Sequence, residues 1–485
     1  MPILDRLIGL ETEYALRLHS DNSSEKPTRY QLFQQLLGAI QRRVLTVPAR
    51  HVKPGRFLVN GGAVWFETER PAAGGGLVEG STPECRGPRT VVCYQRAQDQ
   101  ILGESAWNPH QLSRFALVKN DRDGHGHVYG AQENYEATLG GFWSLLAWRT
   151  GLVLLLPLLL LTWLGIGLMM LGMLVYLASA GLVYLLLRRF VSDPSALAFT
   201  LFGRDAVEGQ DTGSMTPAWL EACLAWKMRI ITGPLAFALW LLGTFTTFRR
   251  IRRDLLPLLV SRSVVAGAGL VDDDGNFQLA DKAPAINCVL GMGGFLRDKP
   301  IYLLGHFFKS LCAETWWSPQ DYYEMFCRDQ RLQIGLGDSN MAEVAEFLRV
   351  GTTALVLDVI EAGEMPAVPT LRRPIAALRA ICSDPTLTRT VRLKNGQQRT
   401  ALELQRFYLE ACSRFLDCRI DATEEAFEVV SRWEQTLDAL DELQLTGTAP
   451  SSLIGSIDWV TKQQLLEQAS SEDTSWTARK KIDIC

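Results

Sequence analysis

Glu11 and Glu13 stand two residues apart in IGLETEY, and Glu67 and Glu69 repeat that spacing in VWFETE. On a strand, side chains alternate between faces, so residues i and i+2 point the same way. Glu79 and Glu84 follow in VEGSTPEC. Six carboxylates crowded on a few strands repel one another, and a divalent cation removes that cost. Hard oxygen ligands suit Mg2+, which commonly bridges nucleotide phosphates. The same pattern also describes six solvated surface glutamates, and spacing alone does not separate the two readings. The chain has neither GxGxxG nor GxxxxGK[ST], so a Rossmann or P-loop nucleotide site is not expected. A sheet-borne carboxylate–Mg–ATP site is what remains. The HGH at 125–127 looks metal-like but sits in a turn signal, DGHGH, and reads as a turn.

Composition narrows the partners. The net charge is −4 over 485 residues, which gives no basic balance for nucleic acid. The ten cysteines form no CxxC pair and no zinc spacing with histidine. They read as reduced thiols in a cytosolic compartment. MPILDRLIGLETEY meets acidic residues too soon for a signal peptide.

The elements that must carry the glutamates come from periodicity. Residues 1–140 show short apolar runs broken by Gly and Pro: RFLVNGGAVWFET, VVCYQRA and RFALVKNDRDGHGHVYG. These predict strands and hairpins, with one helix at 30–44. RLQIGLG predicts a strand and 341–363 a helix. From 371 to 470 the pattern is mostly helical, with apolar residues at i, i+3 and i+4 in ALELQRFYLEACSRFLD and EEAFEVVSRWEQTLDALDEL.

Two apolar blocks interrupt this plan. Thr150 to Leu187 is 38 residues without a charge. As one helix it would run roughly 57 Å, against a bilayer core of about 30 Å. Two spans joined by a turn near Gly165–Gly172 are therefore expected. Ile230 to Phe248, which ends at RRIRR, is expected to lie in the interface, with one crossing per block as the alternative. The 188–229 stretch reads as a polar loop with a short helix, PAWLEACLAWKMR. If the flanking halves form one soluble domain, the number of crossings is even. Arg149, Arg188, Arg189 and Arg249–Arg253 place those halves on the cytoplasmic side.

IGLETEY, NGGAVWF, VEGSTPEC, KNDRDGHGHVYGAQENY, LLPLLVSRSVVAGAG, FQLADKA, RLQIGLGDSNMAE, GTTALVLDVIEAG, ALELQRFY and IDWVTK carry a family. In this order they resemble the Pup ligase and Pup deamidase/depupylase enzymes, proteasome accessory factor A-like proteins. These share a fold with glutamine synthetase and other carboxylate–amine ligases. The resemblance implies an α+β fold, a concave antiparallel sheet backed by helices, that holds ATP and Mg2+. It implies Glu11 and Glu79 as metal ligands, Thr82 and Trp459 at the nucleotide, and Glu67 at the position of the catalytic aspartate, acting as base. Ala63, Trp65, Gln132 and Lys282 depart from the family's arginine, tyrosine, histidine and arginine. The family's RDEPH stretch has no counterpart after KPIYLLG, and His306 is the nearest polar residue.

The implied organisation is 1–140 and 255–370 as two halves of a catalytic domain and 141–254 as a membrane insertion. Residues 371–485 are expected to form a helical part that either lacks the family's small terminal domain or is cut short of it. The implied activity joins the C-terminal glutamate of a Pup-like small protein modifier to lysine-bearing protein substrates. The enzyme would be tethered to a lipid bilayer, the inner membrane, with its catalytic domain facing the cytoplasm. Two alternatives stand beside it: a depupylase or deamidase of the same family, and a non-catalytic nucleotide- or partner-binding relative. Only 45 residues separate Tyr14 from Asn60, too few for the long loop of the depupylases, which favours the ligase.

Overall fold

A computed structural model describes residues 2–18, 27–49, 54–67, 76–107, 115–119, 130–203, 217–272, 274–293, 298–314, 316 and 318–472. Glu69, the HGH motif and residues 72–75 lie outside them.

The centre of the molecule is one strand, β1 (Leu7–Leu18). Its residues alternate strictly between buried Ile8, Leu10, Thr12, Tyr14 and Leu16 and half-exposed Leu7, Gly9, Glu11, Glu13 and Ala15. That period of two commits one face to a core and leaves the other polar. Around β1 lie β2 (Thr46–Pro48), β3 (Gly55–Leu58), β4 (Ala63–Glu67), β5 (Leu77–Ser81), β6 (Cys85–Arg86), β7 (Phe115–Val118) and β8 (Ala131–Thr138). A separate ribbon pairs β9 (Leu270–Val271) with β10 (Phe277–Gln278), and β11 (Cys288–Gly291), β12 (Pro300–Leu303) and β13 (Asp329–Gly337) complete the large sheet. Its order is β11-β12-β13-β8-β1-β5-β4-β3-β2, with β6 and β7 also on β1. β11 and β12 are parallel, and the other pairs are antiparallel. The expected α+β class and its antiparallel sheet are what the chain forms.

Helices lie behind the sheet and in the insertion. They are α1 (Arg29–Arg43), α2 (Pro88–Ala106), α3 (Phe142–Leu187), α4 (Pro194–Phe202), α5 (Ala218–Thr246), α6 (Arg249–Ser261), α7 (Glu343–Ala362), α8 (Ala401–Asp417), α9 (Glu424–Thr446) and α10 (Asp458–Glu472). Ile8, Leu10, Tyr135, Leu332 and Ile334 from the sheet join Leu255, Leu258, Leu348, Val350 and Leu355 from α6 and α7 in one core. The strand expected at VVCYQRA is instead part of α2. Pro88 begins the helix, and buried Val91, Gln95, Gln98 and Leu102 recur at helical spacing. The β-branched pair Val91–Val92 gave a local strand signal that packing overrode.

The turn expected at Gly165–Gly172 is absent. α3 runs unbroken from Phe142 to Leu187, with Pro157 inside it. Each glycine costs a helix only about 1 kcal/mol, and their apolar neighbours are good helix formers. The 230–248 stretch does not stand alone either, because it continues the expected short helix as α5. α5 runs antiparallel to α3. Gly151 faces Leu242, Gly165 faces Ile231, and Tyr176 meets Trp219 edge to face. The chain leaves the sheet at Leu139 and returns beside it, where the Phe248 amide donates to the Leu139 carbonyl at 2.6 Å. Both helices are long and apolar enough to cross a membrane by length and composition. Along α3, Leu154, Leu161, Leu174 and Leu186 are uncovered by the rest of the chain. Near the sheet α3 is docked. The Trp148 and Trp163 indoles donate to the carbonyls of Met325 and Cys312, each at 2.8 Å.

The two halves of the chain are inseparable. β8 from the first half pairs with β13 from the second over Thr138–Ala131. Beneath that ladder Glu133 accepts from Arg262 through both carboxylate oxygens, at 2.5 and 2.8 Å, and from the Tyr135 hydroxyl at 2.7 Å. Burial alone would raise the Glu133 pKa, but Arg262 and Arg349 outweigh it and hold the carboxyl below its ordinary range. Arg262→Met leaves this buried charge with Arg349 at 3.9 Å as its nearest cation. Loss of one partner of a buried pair costs about 3–5 kcal/mol. Denaturant unfolding of the purified chain is expected to read that loss, with an unchanged midpoint counting against it.

Candidate active site

The polar face of the sheet is assembled row by row through strand register. Cross-strand partners share a face, so each pairing places two side chains together. Glu13 lies opposite Glu79, and Glu79 lies opposite Trp65. In the next row Glu11 lies opposite Ser81 on one side and Gln132 on the other. Asn134 lies opposite Gln333, and Arg331 opposite Glu136. Glu67, two residues beyond Trp65, ends β4 on the same face. Glu11, Glu13, Glu67 and Glu79 thus come from three neighbouring strands onto one surface. Glu84 lies off the strands and is exposed.

Like charges set directly opposite on a sheet destabilise it. Glu79 is only 6% exposed, so water does little to relieve its repulsion with Glu13. An arginine instead neutralises the neighbouring Glu11. Arg331 Nη2 sits 2.5 Å from Glu11 Oε1, and its Nε donates to Asn134 Oδ1 at 2.7 Å. Gln333 Nε2 donates to Gln132 Oε1 at 2.6 Å. Among the described residues no group of three or more His, Cys, Asp or Glu side chains converges tightly enough to hold a metal alone. The donor set still fits Mg2+, which takes one or two carboxylates and completes its shell with water and phosphate oxygens.

The other expected residues have different settings. Thr82 extends the ladder beyond β5. Its amide donates to the Leu10 carbonyl at 2.9 Å, and its hydroxyl oxygen accepts from the Leu10 amide at 3.0 Å. The hydroxyl hydrogen remains available to donate. Trp459 is fully buried, and its indole donates to the Val264 carbonyl at 2.9 Å. It lies in the core rather than on the carboxylate face. Its backbone passes against Gly269, at φ +74°, where a Cβ would fall 2.8 Å from Trp459 Cα. Trp65 folds across Gly55 on the next strand and packs edge to face on Phe57, walling the flank beyond Glu79.

Several quoted stretches turn out to build this surface rather than to face it. Asp338 of LGDSNM accepts from the amides of Ala268, Asp281 and Lys282. Asp458 of IDWV accepts from the Met341 and Ala342 amides and from Asn340 Nδ2. AGAG, ADKA, GDSN and IDW therefore meet at one end of the sheet. Glu133 of QENY points into the core with Arg262 of SRSVV. The sequence reading missed Glu133, Arg262 and Arg331, and a parity signal was present. In AQENYEAT, Glu133 and Tyr135 alternate with Gln132 and Asn134. Neither Cys85 nor Cys382 is a nucleophile here, because burial pushes Cys85 up to about 11 and Cys382 up to about 12.

An extended antiparallel sheet with one carboxylate-rich face and helices behind it is the architecture of the carboxylate–amine ligases. The family model described as Pup-ligase protein matches residues 6–484, and the chain belongs to that family. It is similar to a depupylase of Acidothermus cellulolyticus, 34% identical over 249 residues, covering 50% of this chain and 45% of the relative. It is similar also to a Pup–protein ligase of Kribbella flavida, 32% identical over 246 residues, covering 50% of each. The chain spans about half the length of these curated relatives. Among solved structures it is similar to the ligase PafA in complex with the prokaryotic ubiquitin-like protein Pup. The TM-score is 0.59 at 19% identity, covering 100% of this chain and 73% of that one. PafA in complex with ADP gives a TM-score of 0.51 at 18% identity, covering 96% and 76%. At such identities the likeness is one of fold, and it agrees with the glutamine synthetase-like sheet.

Both ring nitrogens of His306 are buried near this face. Burial, reinforced by the Arg331 charge, pushes its pKa from 6.5 down to about 3, against smaller opposing contributions from Gln333 and the Arg331 backbone. The unfolded chain binds this proton below pH 6.5 and the folded chain does not, so stability falls as pH drops from 6.5 towards 3. His306→Gln is expected to remove up to about 1.4 kcal/mol per pH unit of that slope. Unfolding curves at pH 6.5, 5.5 and 4.5 measure it, and an unchanged slope contradicts the assignment.

Proposed function

We propose that the chain is a membrane-tethered, ATP- and Mg2+-dependent ligase that joins the C-terminal glutamate of a Pup-like modifier to substrate lysines. The observation that carries this reading is the register that brings Glu11, Glu13, Glu67 and Glu79 onto one sheet face. Glu11 and Glu79 would hold Mg2+, which supplies charge neutralisation for the ATP phosphates. Glu13, directly opposite Glu79, adds to the field that draws the cation in. The modifier's terminal carboxylate attacks the γ-phosphorus, the bond to the β,γ-bridging oxygen breaks, and ADP leaves. The lysine amine then attacks the acyl carbon, and phosphate departs as the isopeptide bond forms. Glu67 takes the proton that the amine loses. Its longer arm keeps the carboxylate at the edge of the face, where a protein substrate approaches. Thr82 has a hydroxyl hydrogen to offer the nucleotide, and Trp459 would support the nucleotide pocket from behind, through Gly269.

The ligase direction is supported by the short connection from Tyr14 to Asn60, much of it taken up by α1, β2 and β3. A non-catalytic relative is the second reading. It is favoured by Trp65, which offers no oxygen beside Glu79, and by Ala63 in the following row. Incubation of the purified chain with MgATP, a modifier ending in glutamate and a lysine-bearing protein is expected to yield a covalent adduct on lysine and ADP. Glu67→Ala is expected to lower turnover by about 10²–10⁴-fold, the usual contribution of a positioned base. Full activity in that variant removes Glu67 from the role. Nucleotide binding without turnover favours the non-catalytic reading, and cleavage of a preformed adduct favours the hydrolase.

The tether is α3 with α5. Their pairing returns the chain to the strand it left, so both catalytic halves stay on one side. Exposed Arg149, Arg249, Arg250 and Arg253 at the sheet end favour the cytoplasmic side of the inner membrane, whereas Arg188 and Arg189, expected to share that side, stand at the far end of the unbroken α3. Cys93 and Cys418 are exposed, one before and one after the insertion. A membrane-impermeant maleimide is expected to label both in inverted vesicles and neither in intact cells. Label at only one of them in inverted vesicles rules the topology out.

A further inference from the structure

We propose that Arg331 is the residue that grips the transferred phosphoryl group, and that it is parked on Glu11 until a divalent cation takes that carboxylate. This rests on the ATP-dependent reading above. Glu11 Oε1 is already occupied twice, by Arg331 Nη2 at 2.5 Å and by Asn134 Nδ2 at 3.2 Å. The guanidinium charge beside Glu11 opposes a second cation at the same carboxylate. Arg331 is 44% exposed at its side chain, whereas Glu11 is 19% exposed. The carboxylate is therefore the fixed partner and the arginine the movable one. Arg331 stands on β13, two strands from Glu11, beside the amide pair Gln333–Gln132. Displaced from Glu11, its planar fork stays over the same face, tethered to Asn134 through Nε. A guanidinium there matches the bidentate geometry of phosphate oxygens. The arrival of the cation and the release of the anion-binding arginine are then one event. During phosphoryl transfer the γ-phosphorus gains a bond to the modifier's carboxylate oxygen and loses its bond to ADP. Arg331 neutralises the oxygens that stay on phosphorus.

Two affinities then move in opposite directions. In the full chain, Arg331→Met removes Glu11's competitor for metal, so Mn2+ measured by electron paramagnetic resonance without nucleotide binds about fivefold more tightly, a typical ion-pair strength. The same variant binds a non-hydrolysable ATP analogue with Mg2+ about tenfold more weakly by calorimetry, the scale of one charge-assisted hydrogen bond. Arg331→Lys keeps the charge on Glu11 without the fork. It is expected to return Mn2+ affinity to the wild-type value while nucleotide affinity stays low. Glu11→Gln weakens Mn2+ in every background. A wild-type chain that binds Mn2+ and nucleotide, with Arg331→Met leaving Mn2+ affinity unchanged or weaker, overturns this inference alone. A wild-type chain that binds neither overturns the ATP-dependent reading and this inference with it.

Discussion

The two-residue period of β1 governs the rest of the molecule. Every second side chain of this strand is buried, and it is laddered on both sides, to β5 and to β8. A slip of one residue in either ladder would turn Glu11 and Glu13 into the apolar core and bring Leu10 and Thr12 out. The cost of burying unpaired carboxylates excludes that slip. Register is therefore locked by the same acidic residues that the fold then presents as a site.

The buried ion pairs behind the sheet work with that lock. Arg262 and Glu133 join the stretch after the insertion to a strand before it, and Arg6 pairs with Asp358 and Glu361 on α7. Such pairs add little net stability against an apolar alternative. Their geometry nevertheless admits one relative placement of the two halves of the chain. This explains how more than a hundred residues can be inserted between β8 and α6 without loosening the sheet. The insertion enters and leaves at adjacent points, Leu139 and Phe248, and Arg252 caps the carbonyls of Thr244 and Thr247 at the exit of α5. A cation at a helix C-terminus opposes the end charge of the helix, so the turn into α6 is held electrostatically as well as by packing.

The site combines a preformed frame with a concentrated local charge. The frame is rigid backbone, pinned by Asp338 and Asp458 on loop amides. The charge is the Glu13–Glu79 opposition, which the strands hold in place. Trp65 and Ala63 narrow what can sit beside it, leaving an apolar wall where a relative with oxygen ligands would offer more coordination.

Local pattern alone determined much of this. The alternation in IGLETEY, the helices over 30–44 and 341–363, the C-terminal amphipathic pair and the uncharged blocks are all periodic signals, and periodicity is a property of neighbours in the chain. It placed Glu11 and Glu13 on one face before any fold was known. Tertiary structure decided what depends on partners distant in sequence. It drew VVCYQRA into a helix, because a buried stripe outweighed β-branched propensity. It kept α3 continuous through its glycines, with α5 packed along it. It turned Glu133 inward to Arg262, buried Trp459 behind Gly269, and set Arg331 on Glu11. No window of residues records where a strand 320 positions away will be laid down. Only the completed ladder from β13 through β8 to β1 brings that arginine within reach of the carboxylate.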